Sequence, residues 1–196
     1  MEGRPPTSDV EPLAPVRWIP GDAERSPEQG IALCLSGGGS RAMLFHVGAL
    51  MRLNEFGLLP KLARVSSVSG GSITAGMLAV QWSGLSFEAS GRATRFGELV
   101  VNPLRAFARR RIDVPAFLRG LLPGTSPALE LARSLDRFLY HGATLRDLPD
   151  DPPRFVFNAT NLASGVLWRF SKPYMRDYRV GEVRDPDVGV ALAVAA

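Results

Sequence analysis

The chain has 196 residues, 45% of them hydrophobic and 21% charged, within the ordinary range of a domain able to bury a core. Basic residues exceed acidic ones by four and the pI is near 9.8, yet lysine occurs only at Lys61 and Lys172. A positive balance carried almost wholly by arginine is read as a compositional skew, so no nucleic-acid partner is expected.

Residues 1–29 contain Pro5, Pro6, Pro12, Pro15, Pro20 and Pro27 with scattered acids, and read as an irregular, proline-rich leader. They hold no apolar stretch suited to a signal peptide, and no run in the chain approaches the ~20 apolar residues of a transmembrane segment. The expected compartment is therefore the cytoplasm, with any membrane contact peripheral.

From Gly30 onward, residues 30–196 read as one folded unit. Ile31–Leu35 is a short continuous apolar run ending at Ser36-Gly37-Gly38-Gly39-Ser40, which predicts a strand buried on both faces followed by a tight loop. The lone Cys34 lies in that run and is read as a core residue. From Arg41 to Phe56 the positions Leu44, Val47, Leu50, Met51 and Leu53 predict a helix, with Gly57 at its left-handed cap. Leu62–Val68 predicts a second strand, and Ile73–Trp82 a buried helix. Strand, glycine loop and helix, twice over, is the order of a parallel α/β sheet.

Residues 83–150 read as a mostly helical insertion or cap, broken at Pro103, Pro115, Pro123 and Pro127. The run from Arg105 to Arg111, with arginines at 105, 109, 110 and 111, is read first as a solvated helix face and second as a site for anionic lipid or phosphate. Arg154–Thr160 and Val166–Phe170 predict two further strands around the turn Ala163-Ser164-Gly165. Trp82, Trp168 and the phenylalanines are read as core or cap residues. Val188–Ala196 reads as the start of a small-residue helix, and its end without cap or glycine reads as a chain that has been cut.

A serine becomes a nucleophile when it is exposed on a tight strand-to-helix turn with small flanking residues and a base nearby. Ser67-Val68-Ser69-Gly70-Gly71 has that form, with Ser67 where glycine is usual, and makes Ser69 the candidate nucleophile. The helix after it would aim its amino-terminal dipole and free amides at the site. The loop Gly37-Gly38-Gly39-Ser40-Arg41 follows the neighbouring strand, so adjacent parallel strands would bring both loops to one edge of the sheet. Amides of that loop are the candidate oxyanion hole, a contribution of roughly 3–4 kcal/mol per donor.

A dinucleotide reading of Gly37-x-Gly39-x-x-Ala42 fails, because no acidic residue closes a second strand about twenty residues on. His46, inside the first helix, and His141, in a polar turn, are weak candidates for a base. Ser66, Ser67 and Ser72 read as small polar packing residues.

Ser36-Gly-Gly-Gly-Ser-Arg-Ala42, Phe45-His-Val-Gly-Ala-Leu50, Val65-Ser-Ser-Val-Ser-Gly-Gly-Ser-Ile73 and Phe157-Asn-Ala-Thr-Asn161 with Gly165 together resemble the patatin-like phospholipases, especially bacterial ones. The resemblance covers roughly residues 30–196. It implies a three-layer α/β/α fold with a mainly parallel sheet, and a Ser-Asp dyad acting on lipid or other carboxylic esters without metal or cofactor. Ser69 matches the nucleophile, Gly38 and Gly39 the oxyanion-hole glycines, and Arg41 the arginine after them; Ala42 departs from the usual glycine. The family's Asp-Gly-Gly or Asp-Gly-Ala motif is absent, and Asp185 and Asp187 precede the small-residue helix that it follows. The catalytic aspartate is thus expected beyond this chain, and the alternative is a non-catalytic fragment that binds lipid or a partner.

Overall fold

The computed structural model describes residues 29–110, 126–150 and 152–196. The proline-rich leader, apart from Gln29, together with Arg111, Pro115 and Pro123, lies outside the described residues. A six-stranded sheet runs in sequence order: β1 (Ile31–Leu35), β2 (Leu62–Val68), β3 (Arg154–Asn161), β4 (Val166–Phe170), β5 (Tyr174–Asp177) and β6 (Gly181–Arg184). β1 and β2, the strands that carry the glycine loops, are parallel as expected, and β3 also pairs parallel to β2. From β3 to β6 every pairing is antiparallel, so the sheet is mixed, with parallel pairing confined to three strands. The reason is connection length: the short links after β3 allow hairpins, whereas a parallel return needs a long crossover.

Those crossovers carry α1 (Gly39–Glu55) and α2 (Gly70–Gln81), which pack against each other. With β1, β2 and β3 adjacent and in order, right-handed connections place both helices on the same face of the sheet. That face is built from Leu33, Val65 and Phe155 in one register row and Leu35, Ser67 and Phe157 in the next. Alternation sends Ala32, Arg64 and Arg154, then Cys34, Ser66 and Val156, to the opposite face.

This overturns two expectations. β1 is not buried on both faces: Ile31, Ala32 and Cys34 are exposed, and only Leu35 is fully buried. Cys34 is therefore no core residue. Among the described residues β1 is an edge strand paired only to β2, and Cys34 stands on the side turned away from α1 and α2.

α1 forms where its pattern predicted, but its buried stripe is Met43, His46, Val47, Leu50 and Asn54, while Leu44 and Met51 are exposed. The stripe contains two polar residues whose hydrogen bonds are met inside. Asn54 donates to the Ala93 carbonyl at 3.1 Å and accepts from the Ala93 N–H at 2.7 Å. The helix ends as expected at Gly57, with φ 64°: the Gly57 N–H bonds the Asn54 carbonyl and the Leu58 N–H the Leu53 carbonyl, a Schellman cap.

α2 is buried from Gly70 to Ala79 and is the central post of the molecule. Thr74 ties it to α1 by donating to the Met43 carbonyl at 3.0 Å. Around it stand α3 (Asn102–Ala108), entered through a π-helical turn at Gly97–Val101, and α4 (Pro127–Leu135), which runs into a second such turn at Asp136–Tyr140. Ser126 caps α4, accepting from the Leu129 N–H. α5 (Val190–Ala195) packs against α4 and α2.

Trp82 packs against Phe87 and Phe155, and Trp168 against Phe170, but Phe45 and Phe56 point outward from α1 and do not join the core.

Candidate active site

The parallel register sets the site. Leu35 of β1 pairs with Ser67 of β2, so the two strands end level and their following loops lie side by side. Each loop opens a helix, and the first amides of a helix have no partner inside it. The earliest bond into α1 is Ala42 N–H to Gly38 O, and the earliest into α2 is Ser72 N–H to Ser69 O. The N–H groups of Gly39, Ser40 and Arg41, and of Gly70 and Gly71, thus precede the bonded turns at the shared edge. Two helix amino ends converge there, an arrangement that stabilises negative charge.

Ser69 sits at this convergence, exposed, with φ 51° and ψ −122°. A positive φ in a residue with a side chain is strained and persists only where the surroundings hold it. The surroundings are the two loops packed backbone to backbone. A Cβ added at Gly70 would lie 2.2 Å from the Gly39 carbonyl oxygen, and one at Gly71 would lie 2.6 Å from that of Leu35. Gly37 faces Ser69 directly, its added Cβ falling 3.3 Å from the Ser69 Cβ. Gly38 and Gly39, at φ 138° and 62°, turn the chain from β1 into α1.

Beneath the elbow, Ser72 Oγ donates to Ser67 Oγ at 3.1 Å, both buried. Asn158 of β3 donates from Nδ2 to Ser66 Oγ and to the Ser67 carbonyl, each at 2.9 Å, and so fixes the end of β2. Asn158 has no role legible in the sequence beyond its place in a motif; the signal that marks it is a polar amide directly after the apolar run Phe155-Val156-Phe157. Tyr140, fully buried, donates to the Ile73 carbonyl at 3.0 Å and anchors the first turn of α2. Burial pushes its phenol above its ordinary pKa.

Ser69, Gly39, Ser40 and Gly70 form the polar wall of a cavity of about 660 Å³. Its other walls are mostly apolar, from Met43, Ile73, Phe107, Leu131, Leu167 and Val194. No side-chain carboxylate or imidazole lines it among the described residues. His46 is buried in α1 and bonded to Ser36, while His141 is exposed in a left-handed turn after Tyr140. Asp185 and Asp187 pair with Arg146 on the surface. Of the arginine run, Arg105, Arg109 and Arg110 are exposed, and Arg110 lies over the Phe138 ring at 4.1 Å.

Among the described residues no cluster of three His, Cys, Asp or Glu side chains comes together to hold a metal ion. No helix among them is long and apolar enough to cross a membrane.

The fold and site define a class: an α/β protein with a serine on a strained strand-to-helix elbow, set against a glycine loop that opens the preceding helix. The chain belongs to the patatin-like phospholipase family, whose model matches residues 33–196.

Among solved structures it is similar to human GIVD cytosolic phospholipase A2 in complex with methyl gamma-linolenyl fluorophosphonate and terbium chloride. There the TM-score is 0.54 at 18% identity over 84% of this chain. The same phospholipase with the fluorophosphonate alone gives 0.52 at 20% identity over 85% of this chain. The chain spans 29% of the length of that phospholipase in both cases. VipD from Legionella pneumophila aligns over 87% of this chain and 42% of its own length, at 18% identity and a TM-score of 0.41. A search of the curated proteins gave no match. The likeness to the phospholipase bears on the fold, which is the α/β patatin-like arrangement expected.

Proposed function

We propose that this chain carries the nucleophile and oxyanion hole of a serine lipid acyl hydrolase. The carrying observation is Ser69, strained and exposed at the amino end of α2, on the wall of an apolar cavity beside the glycine loop. Ser69 Oγ attacks the carbonyl carbon of a carboxylic ester whose acyl chain lies among Met43, Ile73, Phe107 and Leu131. The carbonyl oxygen, becoming negative, is held by amides of the Gly37-Gly38-Gly39 loop and of the first turns led by Ser40, Arg41 and Gly70. The serine proton passes to a general base, the alcohol departs, and water then cleaves the acyl-enzyme with the base acting again.

The base in this reading is an aspartate that the described cavity wall does not itself supply. The protein would act in the cytoplasm in lipid metabolism, meeting its substrate at a membrane surface without spanning it.

The test is the protein that contains this chain, assayed on a short-chain activated ester and on phospholipid vesicles. Ser69→Ala should lower turnover by about a thousandfold or more while leaving the thermal melt unchanged. A long-chain fluorophosphonate should modify Ser69 and no other residue. Retained turnover in the variant removes the assignment. Binding of lipid with neither turnover nor labelling supports the second reading, a non-catalytic patatin-like fragment that binds lipid or a partner, which the lack of a carboxylate or imidazole among the described residues of the cavity wall favours.

A further inference from the structure

His46 is 4% exposed, lies in the middle of the buried stripe of α1, and is used by no step above. Its Nε2 is 2.9 Å from the carbonyl oxygen of Ser36, the first residue after β1. A carbonyl only accepts, so Nε2 carries the proton in this contact. The same nitrogen lies 3.4 Å from Ser36 Oγ. On its other side the Ser36 carbonyl rests against Gly71, where an added Cβ would fall 2.7 Å away.

The peptide joining Ser36 to Gly37 is planar and trans, so its carbonyl and its N–H point in opposite directions. Fixing one fixes the other. The residues that follow are three glycines, whose backbone rotates more freely than that of any other residue type. Without an anchor the Ser36–Gly37 peptide could turn over at little cost and re-aim the N–H of Gly37, a residue whose added Cβ falls 3.3 Å from the Ser69 Cβ.

We infer that His46 is a positioning residue: by holding the Ser36 carbonyl it sets the direction of the Gly37 N–H and keeps the glycine loop in its anion-binding form. This rests on the acyl-hydrolase reading, because the function of the loop is taken from it. His46 touches no substrate; it acts through Ser36. The imidazole spans from a helix to the root of the loop, a distance that a leucine fills without donating and a glutamine spans while donating from its amide.

The experiment compares His46→Leu and His46→Gln with the wild type and Ser69→Ala, in the protein that contains this chain. Turnover of a short-chain ester is expressed per folded protein, measured by circular dichroism and gel filtration. Loss of a directed oxyanion donor is worth about 10²–10³ in kcat. His46→Leu should approach that loss with KM changed less than about twofold, and His46→Gln should recover to within about tenfold of wild type. A residue needed only for packing would lower the yield of folded protein and leave kcat unchanged; that outcome overturns the inference.

Should His46→Leu fail to fold, His46→Asn, which is too short to reach Ser36, replaces it. Equal kcat in His46→Asn and His46→Gln also overturns the inference. A wild type with no turnover above Ser69→Ala removes the hydrolase reading and His46 with it, whereas an active wild type with a fully active His46→Leu removes His46 alone.

Discussion

At the scale of single residues, the site depends on how closely two backbones approach. Gly71 lies against the carbonyl oxygens of Leu35 and Ser36, at 2.6 and 2.7 Å from where a Cβ would stand, and neither oxygen belongs to a side chain that can swing aside. Gly71→Ala must push the glycine loop from the elbow, and is expected to lower stability by about 1–3 kcal/mol and to reduce Ser69-dependent turnover together with it. Gly48 provides the contrast. It is exposed in the interior of α1 with nothing within 4 Å of an added Cβ, so Gly48→Ala should raise stability by about 0.5–1 kcal/mol through helix propensity alone. Urea midpoints of the two variants should move in opposite directions. Equal shifts would mean that the loops are not packed as described.

At the scale of elements, Asp177 closes the antiparallel half of the sheet. The carboxylate ends β5, 5% exposed, and accepts from Asn161 Nδ2 at 2.8 Å, Ser164 Oγ at 3.1 Å, the Arg179 N–H at 2.7 Å and the Val180 N–H. Burial alone would raise its pKa, but the four donors together prevail and hold it below the usual carboxylate range. A carboxylate with a depressed folded-state pKa contributes stability above the unfolded value of about 3.9 and loses it as pH falls through the lower folded value. Below about pH 4 the melting temperature should therefore fall more steeply for the wild type than for Asp177→Asn. Parallel acid slopes would show that the network carries no such contribution.

This region is also where the sequence is hardest to read. β1 to β4, α1 and α2 announce themselves through apolar runs, helical spacing and glycine punctuation, and the two glycine loops follow from the strand order. β5 and β6 are four residues each and rich in charge, and among the described residues β5 pairs with β4 and β6 while β6 pairs only with β5, so neither alternation nor an apolar run marks them. The buried face of α1 escapes its spacing for a related reason: His46 and Asn54 are polar by type and buried by virtue of hydrogen bonds to residues beyond their own helix, which spacing alone does not reveal.

At the scale of the whole molecule, the order β1-β2-β3 with two right-handed crossovers has a consequence that one thiol reports. α1 and α2 are driven to the same face of the sheet, and the apolar rows Leu33–Val65–Phe155 and Leu35–Ser67–Phe157 are used on that side. The row on the other side at the same level is Cys34, Ser66 and Val156, and at the edge of the sheet its cysteine is exposed. Cys34 is the only cysteine in the sequence, so a thiol reagent reads one position. In the 196-residue chain Cys34 should react without denaturant at a rate within about tenfold of the unfolded chain, because it is exposed. Reaction that needs unfolding would mean that another layer covers this face, leaving the parallel strands buried on both sides and the apolar run Ile31–Leu35 in the role its composition indicates. The two outcomes separate a sheet clothed on one face from one clothed on both.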